Sequence, residues 1–341
     1  MKFKNYRMLT ANNERLTSKD IRQVNVQSVL KALHQEQLAP ISRLRDLTGL
    51  SVVTITKVLE YLEKTGIVLS QRQNIIGTGR PPLTYRFNAT YRLLLIVSCF
   101  QRGGQNFAGY SVHDLFGECL ERREELLATI HTDDFRIGIE RYLEHYPKIA
   151  IIGISMPSDT VGGRVAAAIR HDPMSKRLAR HLEQHFKVPV FFETDINAAA
   201  LGCYKRNPSH EFVAGIVLMP GRAPGCSFCF NGKVIRGRDG MAGEVRYFPM
   251  YNDVGILPAD PSKADELALR TLRAVMCVMN PSLVAVYTEG LKSGLSERLR
   301  KRVFSEAEIA MLPKIEVSSS IKDDIVSGMI TLCLERLPNL L

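Results

Sequence analysis

No run of about 18 consecutive apolar residues occurs in the 341-residue chain, so no stretch reads as a bilayer-spanning helix. The opening residues, MKFKNYRMLTANNERL, hold no hydrophobic segment of the kind a secretory signal needs. Both absences imply a cytoplasmic protein with no membrane partner. Cysteine is scarce as well: seven residues, an odd number and widely dispersed, which favours reduced thiols over a disulfide framework. The one close pair, Cys226 and Cys229, falls in a strand-like stretch where residues three apart face opposite sides. With no second pair nearby, it does not make a zinc site. Short-period repeats and low-complexity tracts are also missing.

What is present begins with size and charge. A chain of 341 residues exceeds what one core usually serves, so two or three domains are expected at roughly 100 to 200 residues each. Residues 1–90 carry 14 Lys and Arg against 6 Asp and Glu, a net of +8, whereas residues 91–341 carry 31 against 29. The excess positive charge therefore sits in the first quarter, where a polyanion such as DNA would gain most from it.

That quarter contains LRDLTGLSVVTITKVLEYL, Leu44 to Leu62. Ile55, Val58, Leu59 and Leu62 recur at helical spacing and define one buried face. Ser51 can cap that helix, and Leu44 and Leu47 mark a shorter helix stopped by Thr48-Gly49. Two helices joined this closely read as a helix-turn-helix, the other reading being an αα-hairpin inside another fold. Val52, Val53, Thr54, Thr56 and Lys57 stay off the buried face of the second helix, near its first turn, and are candidates to reach base edges. Ser42, Arg43 and Ser51 complete the candidate DNA-contacting set on these helices.

Around this motif the chain reads as a small domain. Residues 1–19 form a polar, basic arm, and Ser18 and Asp20 lead into a helix with Val26, Val29, Leu30 and Leu33 on its inner face. Pro40 ends the connection and Ser42 can cap the next helix. After the stop at Thr65-Gly66, Ile67-Val68-Leu69 forms a strand, and Leu83, Tyr85 and Phe87 supply the returning one. Three helices followed by a hairpin describe a winged helix over residues 20–90. Between the strands lies GTGRPP, in which Thr78, Gly79 and Arg80 are candidates for minor-groove contact, because an arginine held extended by prolines suits a narrow, electronegative groove. A solvated interdomain linker is the other reading of these six residues.

From residue 91 to 341 apolar strands alternate with longer helices, the pattern of an α/β sheet covered by helices. Strands are predicted at 93–97, 107–112, 149–154, 188–192, 211–219, 227–235 and 283–287, and helices at 136–146, 174–186, 260–279 and 321–337. Asn231-Gly232 is a hairpin turn. Asp195-Ile196-Asn197 opens a helix through AAALG, whose small side chains permit close backbone approach.

DIRQVNVQSVL, the helix-turn-helix, GTGRPP, GISMPSD, TDINAAALG, NGKVIRGRDGMAGEVRY and NPSLVAVYTEG stand in the order seen in the ROK family, which the chain resembles from about Asp20 almost to its end. The likeness is to the family's sugar-responsive transcriptional regulators. It implies a winged helix-turn-helix joined to a two-lobed domain of the actin-like ATPase type, forming homodimers or homotetramers. Departures from the family's kinases matter as much. The kinases carry an early aspartate before a Gly-Gly-Thr loop, and the equivalent stretch here, Ser98 to Gly104, lacks that aspartate. The second phosphate loop reads Pro220-Gly221-Arg222-Ala223-Pro224-Gly225, where prolines remove donors and arginine adds bulk. Gly290 lacks the glycine partner expected near an adenosine. By the same resemblance, Asp195 stands where the family has its catalytic base and Glu244 where it has a sugar-binding glutamate. Thr194 replaces an asparagine, Tyr247 replaces a histidine that touches both sugar and zinc, and residues 248–261 contain no cysteine to form a zinc loop.

These residues lead to a DNA-binding regulator, a repressor of carbohydrate-related genes, with no cofactor, no metal and no catalytic residues. Its duplex partner would be a palindromic operator, and Asp195, Asn197, Glu244 and Tyr247 would be the contacts to a sugar or sugar-phosphate effector. Asp195 as a helix cap and Glu244 paired with Arg246 or Arg238 are the structural alternatives. The competing functions are an ATP-dependent sugar kinase with an added DNA-binding domain and a regulator that needs no effector.

Overall fold

The computed structural model of the chain describes residues 18–72, 83–102, 104–128, 132–157, 173–238, 240–251, 255–303 and 312–337. It divides into two compact units, one comprising Met1–Arg92, Asp114–Phe116 and Leu337–Leu341, the other Leu93–His113 and Gly117–Arg336. No described helix is long and apolar enough to cross a membrane.

The smaller unit follows from its apolar spacing. Helix α1, Ser18–Glu36, buries Val26, Val29, Leu30 and Leu33. Strand β1, Leu38–Pro40, leads directly into helix α2, Ile41–Thr48. This helix begins one residue before Ser42, so Pro40 occupies the cap position, no side chain caps it, and Ser42 is an exposed residue of the helix. The expected capping role of Ser42 is therefore wrong: the fixed proline φ of −76° already starts the turn. Gly49, at φ 69°, ends α2 in the left-handed region and donates its N–H to the Arg45 carbonyl. Helix α3, Val52–Lys64, is capped by Ser51, whose hydroxyl accepts the Thr54 N–H at 3.1 Å. Its Ile55, Val58, Leu59 and Leu62 are buried, each contributing about 1.5–3 kcal/mol relative to exposure.

Gly66 at φ 75° turns the chain into strand β2, Val68–Arg72, and strand β3, Leu83–Phe87, returns antiparallel. The sheet order β1-β3-β2 makes β3 central, with Leu38 opposite Arg86. This is a winged helix with a third strand that the short Leu-Ala-Pro segment did not announce. His34 sits 4.9 Å from Phe116, and burial lowers its pKa, so the ring packs there as a neutral aromatic.

The larger unit is built on one pattern used twice. Strands β4 (Leu93–Arg102), β5 (Gln105–His113) and β6 (Cys119–Leu127) form an antiparallel meander. Helix α4 (Thr132–His145) crosses to β7 (Ile149–Met156), and helix α5 (Pro173–Phe186) to β8 (Val190–Thr194), both parallel to β4. The order is β6-β5-β4-β7-β8.

After helix α6 (Asp195–Arg206), strands β9 (Phe212–Val217), β10 (Gly225–Phe230) and β11 (Lys233–Ile235) repeat the meander. Helix α7 (Pro261–Met279), capped by Asp260, precedes β12 (Leu283–Tyr287). Helix α8 (Leu295–Val303) precedes β13 (Lys314–Ser318), and helix α9 (Lys322–Arg336) closes the fold. The second sheet, β11-β10-β9-β12-β13, has the same topology as the first. Asn231 and Gly232, at φ 49° and 75°, make the expected β10–β11 hairpin turn.

The two closing helices exchange partners. Helix α6 follows the first sheet yet packs on the second, where a Cβ on Gly215 of β9 would lie 3.3 Å from Ala200. Helix α9 follows the second sheet yet packs on the first, with Met329 and Cys333 over Gly153 of β7. The helices then cross on glycine: a Cβ on Gly202 would fall 1.9 Å from the Asp324 carbonyl oxygen, and one on Gly328 1.9 Å from that of Ala198. Beside the crossing, Arg206 grips Asp324 through two nitrogens at 2.9 and 3.1 Å and Glu316 through a third at 2.9 Å. The buried Tyr287 hydroxyl donates to the same Asp324 carboxylate at 2.7 Å. All seven cysteines are free, and burial pushes the Cys99 and Cys229 thiols up to about 12.

Candidate functional site

In the smaller unit, α3 presents Val52, Val53 and Lys57 to solvent, the two valines at 47% and 64% exposure. The hydroxyls nearby are engaged locally. Thr56 donates to the Val52 carbonyl at 2.9 Å, Thr54 and Ser51 share a hydrogen bond at 2.9 Å, and Thr48 donates to the Leu44 carbonyl at 2.7 Å. Arg43 is forked onto Glu36 at 2.9 and 3.2 Å, and this pairing holds the Glu36 carboxyl below its ordinary pKa. Arg45 is likewise paired with Asp46 at 3.0 Å. Thr78, Gly79 and Arg80 lie outside the described residues.

In the larger unit, the chain turns from β8 into α6 at Glu193-Thr194-Asp195. Thr194, not Asp195, is the cap: its hydroxyl accepts the Asn197 N–H at 3.3 Å. Asp195 becomes the first helical residue, half-buried, and accepts the Ile196 N–H at 2.6 Å. A carboxylate at a helix N-terminus is favourably placed against the helix dipole.

Asn197 is drawn into a network that sequence reading missed. Glu193, 4% exposed, accepts from the Thr194 N–H at 3.1 Å and from the Asn197 side-chain amide at 2.9 Å, and it pairs with Arg236 just beyond β11. The Asn197 carbonyl in turn accepts from Ser227 of β10 at 2.7 Å. The Asn197 amide thus ties α6 to the second sheet through one donated and one accepted hydrogen bond. Glu193 lies one residue beyond the strand predicted at 188–192, and nothing local marked Arg236 as its partner.

Glu244 is placed through the same strand. Gly243, at φ 89°, accepts the Cys226 N–H at 3.1 Å, and a Cβ there would meet the Cys226 carbonyl oxygen at 2.0 Å. Cys226 and Ser227 are neighbours on β10, so one strand anchors both the Asn197 turn and the Gly243-Glu244 turn. Glu244 then pairs with Arg246 at 3.1 Å, while Val245 plugs the core beside it. Tyr247 is 63% exposed under the Arg246 guanidinium, 5.0 Å from its ring centroid.

The two loops that face phosphates in the family's kinases are engaged elsewhere. Ser98 to Arg102 continues β4 as a regular ladder against β5. Phe100 and Phe107 stack at 5.6 Å, with Arg102 4.5 Å over Phe107 and Lys322 4.2 Å over Phe100. Lys322 and Arg102 both pair with Glu124 and hold its carboxyl below the usual carboxylate range. In the second loop, the Gly221 N–H donates to the Leu257 carbonyl at 3.0 Å and the Arg222 N–H to that of Met219 at 3.1 Å. Pro220 and Pro224 have no N–H to give. The Pro220 ring lies 3.6 Å from where a Gly290 Cβ would be, so it fills the space over that glycine.

A zinc ion does not fit these residues. Tyr247 offers an exposed phenol where an imidazole would bind zinc, and residues 248–261 hold no cysteine.

Residues 120–256 match the sequence model of the ROK family, starting just beyond the β4–β5 hairpin. A xylose repressor of Caldicellulosiruptor bescii is 24% identical over 233 residues, 66% of this chain and 58% of that protein. The matched part spans 57–60% of the length of the curated relatives. Among solved structures, a ROK family transcriptional regulator, a homologue of the E. coli MLC protein, shares the fold with TM-score 0.64 and 18% identity over 92% of this chain and 96% of that one. A ROK family glucokinase from Streptomyces griseus, in complex with glucose and AMPPNP, matches with TM-score 0.51 and 17% identity over 71% of this chain and 99% of that one. The regulator is thus matched over both units, and the glucokinase over less of the chain. The larger unit thus has the actin-like fold of these ROK proteins, and the smaller unit is a winged helix.

Proposed function

We propose that the chain is a DNA-binding transcriptional repressor whose ROK domain binds a sugar or sugar phosphate without transferring phosphate. The observation that carries this is the winged helix with its solvent-facing α3, lying in the first 90 residues that hold +8 of the chain's net +10 and joined to a sugar-kinase-like fold. The relatives, a xylose repressor and a ROK family transcriptional regulator, point the same way. Asp195 and Glu244 are the effector contacts of this reading. Asn197, through its remaining amide hydrogen and lone pair, and Tyr247 complete the contact set. The repressor acts as a homodimer or homotetramer on a palindromic operator, in the cytoplasm. An effector switches it only by binding the DNA-competent and incompetent arrangements with different affinity.

Footprinting the full chain on retained genomic fragments is expected to give symmetric half-sites separated by about one or two turns of roughly 10 bp. Lys57→Ala should weaken that complex about fivefold at matched salt, the loss of roughly 1 kcal/mol. Unchanged affinity would remove Lys57 from the interface, and a footprint with no symmetry would remove the dimeric reader.

A thermal-shift panel of free and phosphorylated sugars tests the effector. A ligand at 100 times its Kd adds about 2.7 kcal/mol to native stability, and Asp195→Asn should abolish the rise. The glucokinase likeness favours a second reading, phosphotransfer from ATP to a hexose. A coupled assay over the same sugars decides it, since turnover lost in Asp195→Asn would establish a kinase.

A further inference from the structure

Val52 and Val53 are the first two residues of α3, at 47% and 64% exposure. Neither is explained by the fold. At these positions valine gains only part of what burial would give, and its branched side chain has a poorer helix propensity than alanine. Residues at the start of a recognition helix are those that meet base edges.

The hydroxyls around them already make local hydrogen bonds. Thr56 gives its hydroxyl proton to the Val52 carbonyl, and Ser51 and Thr54 bond one another. The arginines of α2 are paired at the surface, Arg43 with Glu36 and Arg45 with Asp46, and exposed pairs of this kind open readily to a phosphate or a base. The leading edge of α3 itself is methyl-rich. In the major groove of B-DNA the thymine C5-methyl is the apolar group available to such a surface.

We infer that Val52 and Val53 read thymine methyl groups, so that each operator half-site carries thymine at fixed positions facing the start of α3. This rests on the DNA-binding reading above and adds to it the chemistry of recognition. Lys57, exposed one turn further along α3, supplies charge to hold the helix in the groove, while the valines set which bases are accepted.

The test uses the full chain to enrich duplexes from a pool with a randomised core. The enriched half-site is then resynthesised with uracil at each thymine. Uracil keeps every hydrogen-bonding group of thymine and lacks only the methyl. Enriched half-sites are expected to share thymine positions, and uracil there should weaken binding by about fourfold per methyl. The double variant Val52→Ala, Val53→Ala, altered only at exposed sites, should bind uracil and thymine duplexes equally. Uracil bound as tightly as thymine by the unaltered chain would overturn the assignment, as would half-sites without thymine. A pool that yields no enriched duplex would instead overturn the DNA-binding reading.

Discussion

Gly328→Ala is expected to lower the unfolding free energy of the larger unit by about 1–3 kcal/mol, although alanine for glycine inside a helix ordinarily gains roughly 0.5–1 kcal/mol. The sign reverses because of what the new methyl meets. A Cβ on Gly328 lies 1.9 Å from the Ala198 carbonyl oxygen, and that contact is backbone on a packed helix, not the end of a flexible side chain. Helices α6 and α9 must then separate, which also loosens the grip of Arg206 on Asp324. Gly202→Ala should behave alike, since its Cβ meets the Asp324 carbonyl oxygen from the other side. One separation relieves both clashes, so the double variant should cost less than the two single losses added together. Urea unfolding monitored by far-UV circular dichroism measures this as a fall in midpoint. A midpoint unchanged in both single variants would mean that the helices do not cross this closely.

Glu193→Ala should cost about 3 kcal/mol, the lower end of what breaking a buried ion pair usually costs. Its carboxylate side chain is 5% exposed, whereas the Arg236 side chain, at 29%, can turn its guanidinium partly toward water. Beyond the ion pair, the substitution strips acceptors from the Thr194 N–H and the Asn197 amide. The first turn of α6 loosens, and Asp195 loses its setting. Glu193→Gln keeps an oxygen for those two donors while removing the charge, so its loss should be smaller. Two measurements separate stability from effector binding: the urea midpoint, and the sugar-induced rise in melting temperature under conditions where the variant is folded. An Ala variant with the unaltered midpoint would show that the network contributes nothing to stability.

Much of the winged helix was legible because its signals are local. Ser51 caps α3, Gly49 ends α2, and the buried face Ile55, Val58, Leu59 and Leu62 follows from helical spacing alone. The small residues of α6 likewise announced a close approach, and the crossing with α9 is where it occurs. Strand β1 escaped notice because three residues carry no periodicity and take their strand form from pairing with β3. Strand β6 escaped because Glu121-Arg122-Arg123-Glu124-Glu125 is an edge strand whose charged side chains face water or pair across the surface, so no apolar alternation marks it. Ser42 was read as a cap from its residue type, and the proline two places earlier decided the helix start instead.

The order of residues by itself determined the front module, the family likeness, and the replacement of phosphate-binding glycines by prolines and arginine. Those features need only neighbours within a few positions, or motifs in a known order. Tertiary structure alone decided that the two sheets repeat one topology, that α6 and α9 exchange sheets, and that Asn197 bridges Glu193 and Ser227. Glu193 and Arg236 stand 43 residues apart, and no local propensity couples them. Their pairing exists because folding brings the end of one sheet beside the edge of the other, where a buried carboxylate requires a cation.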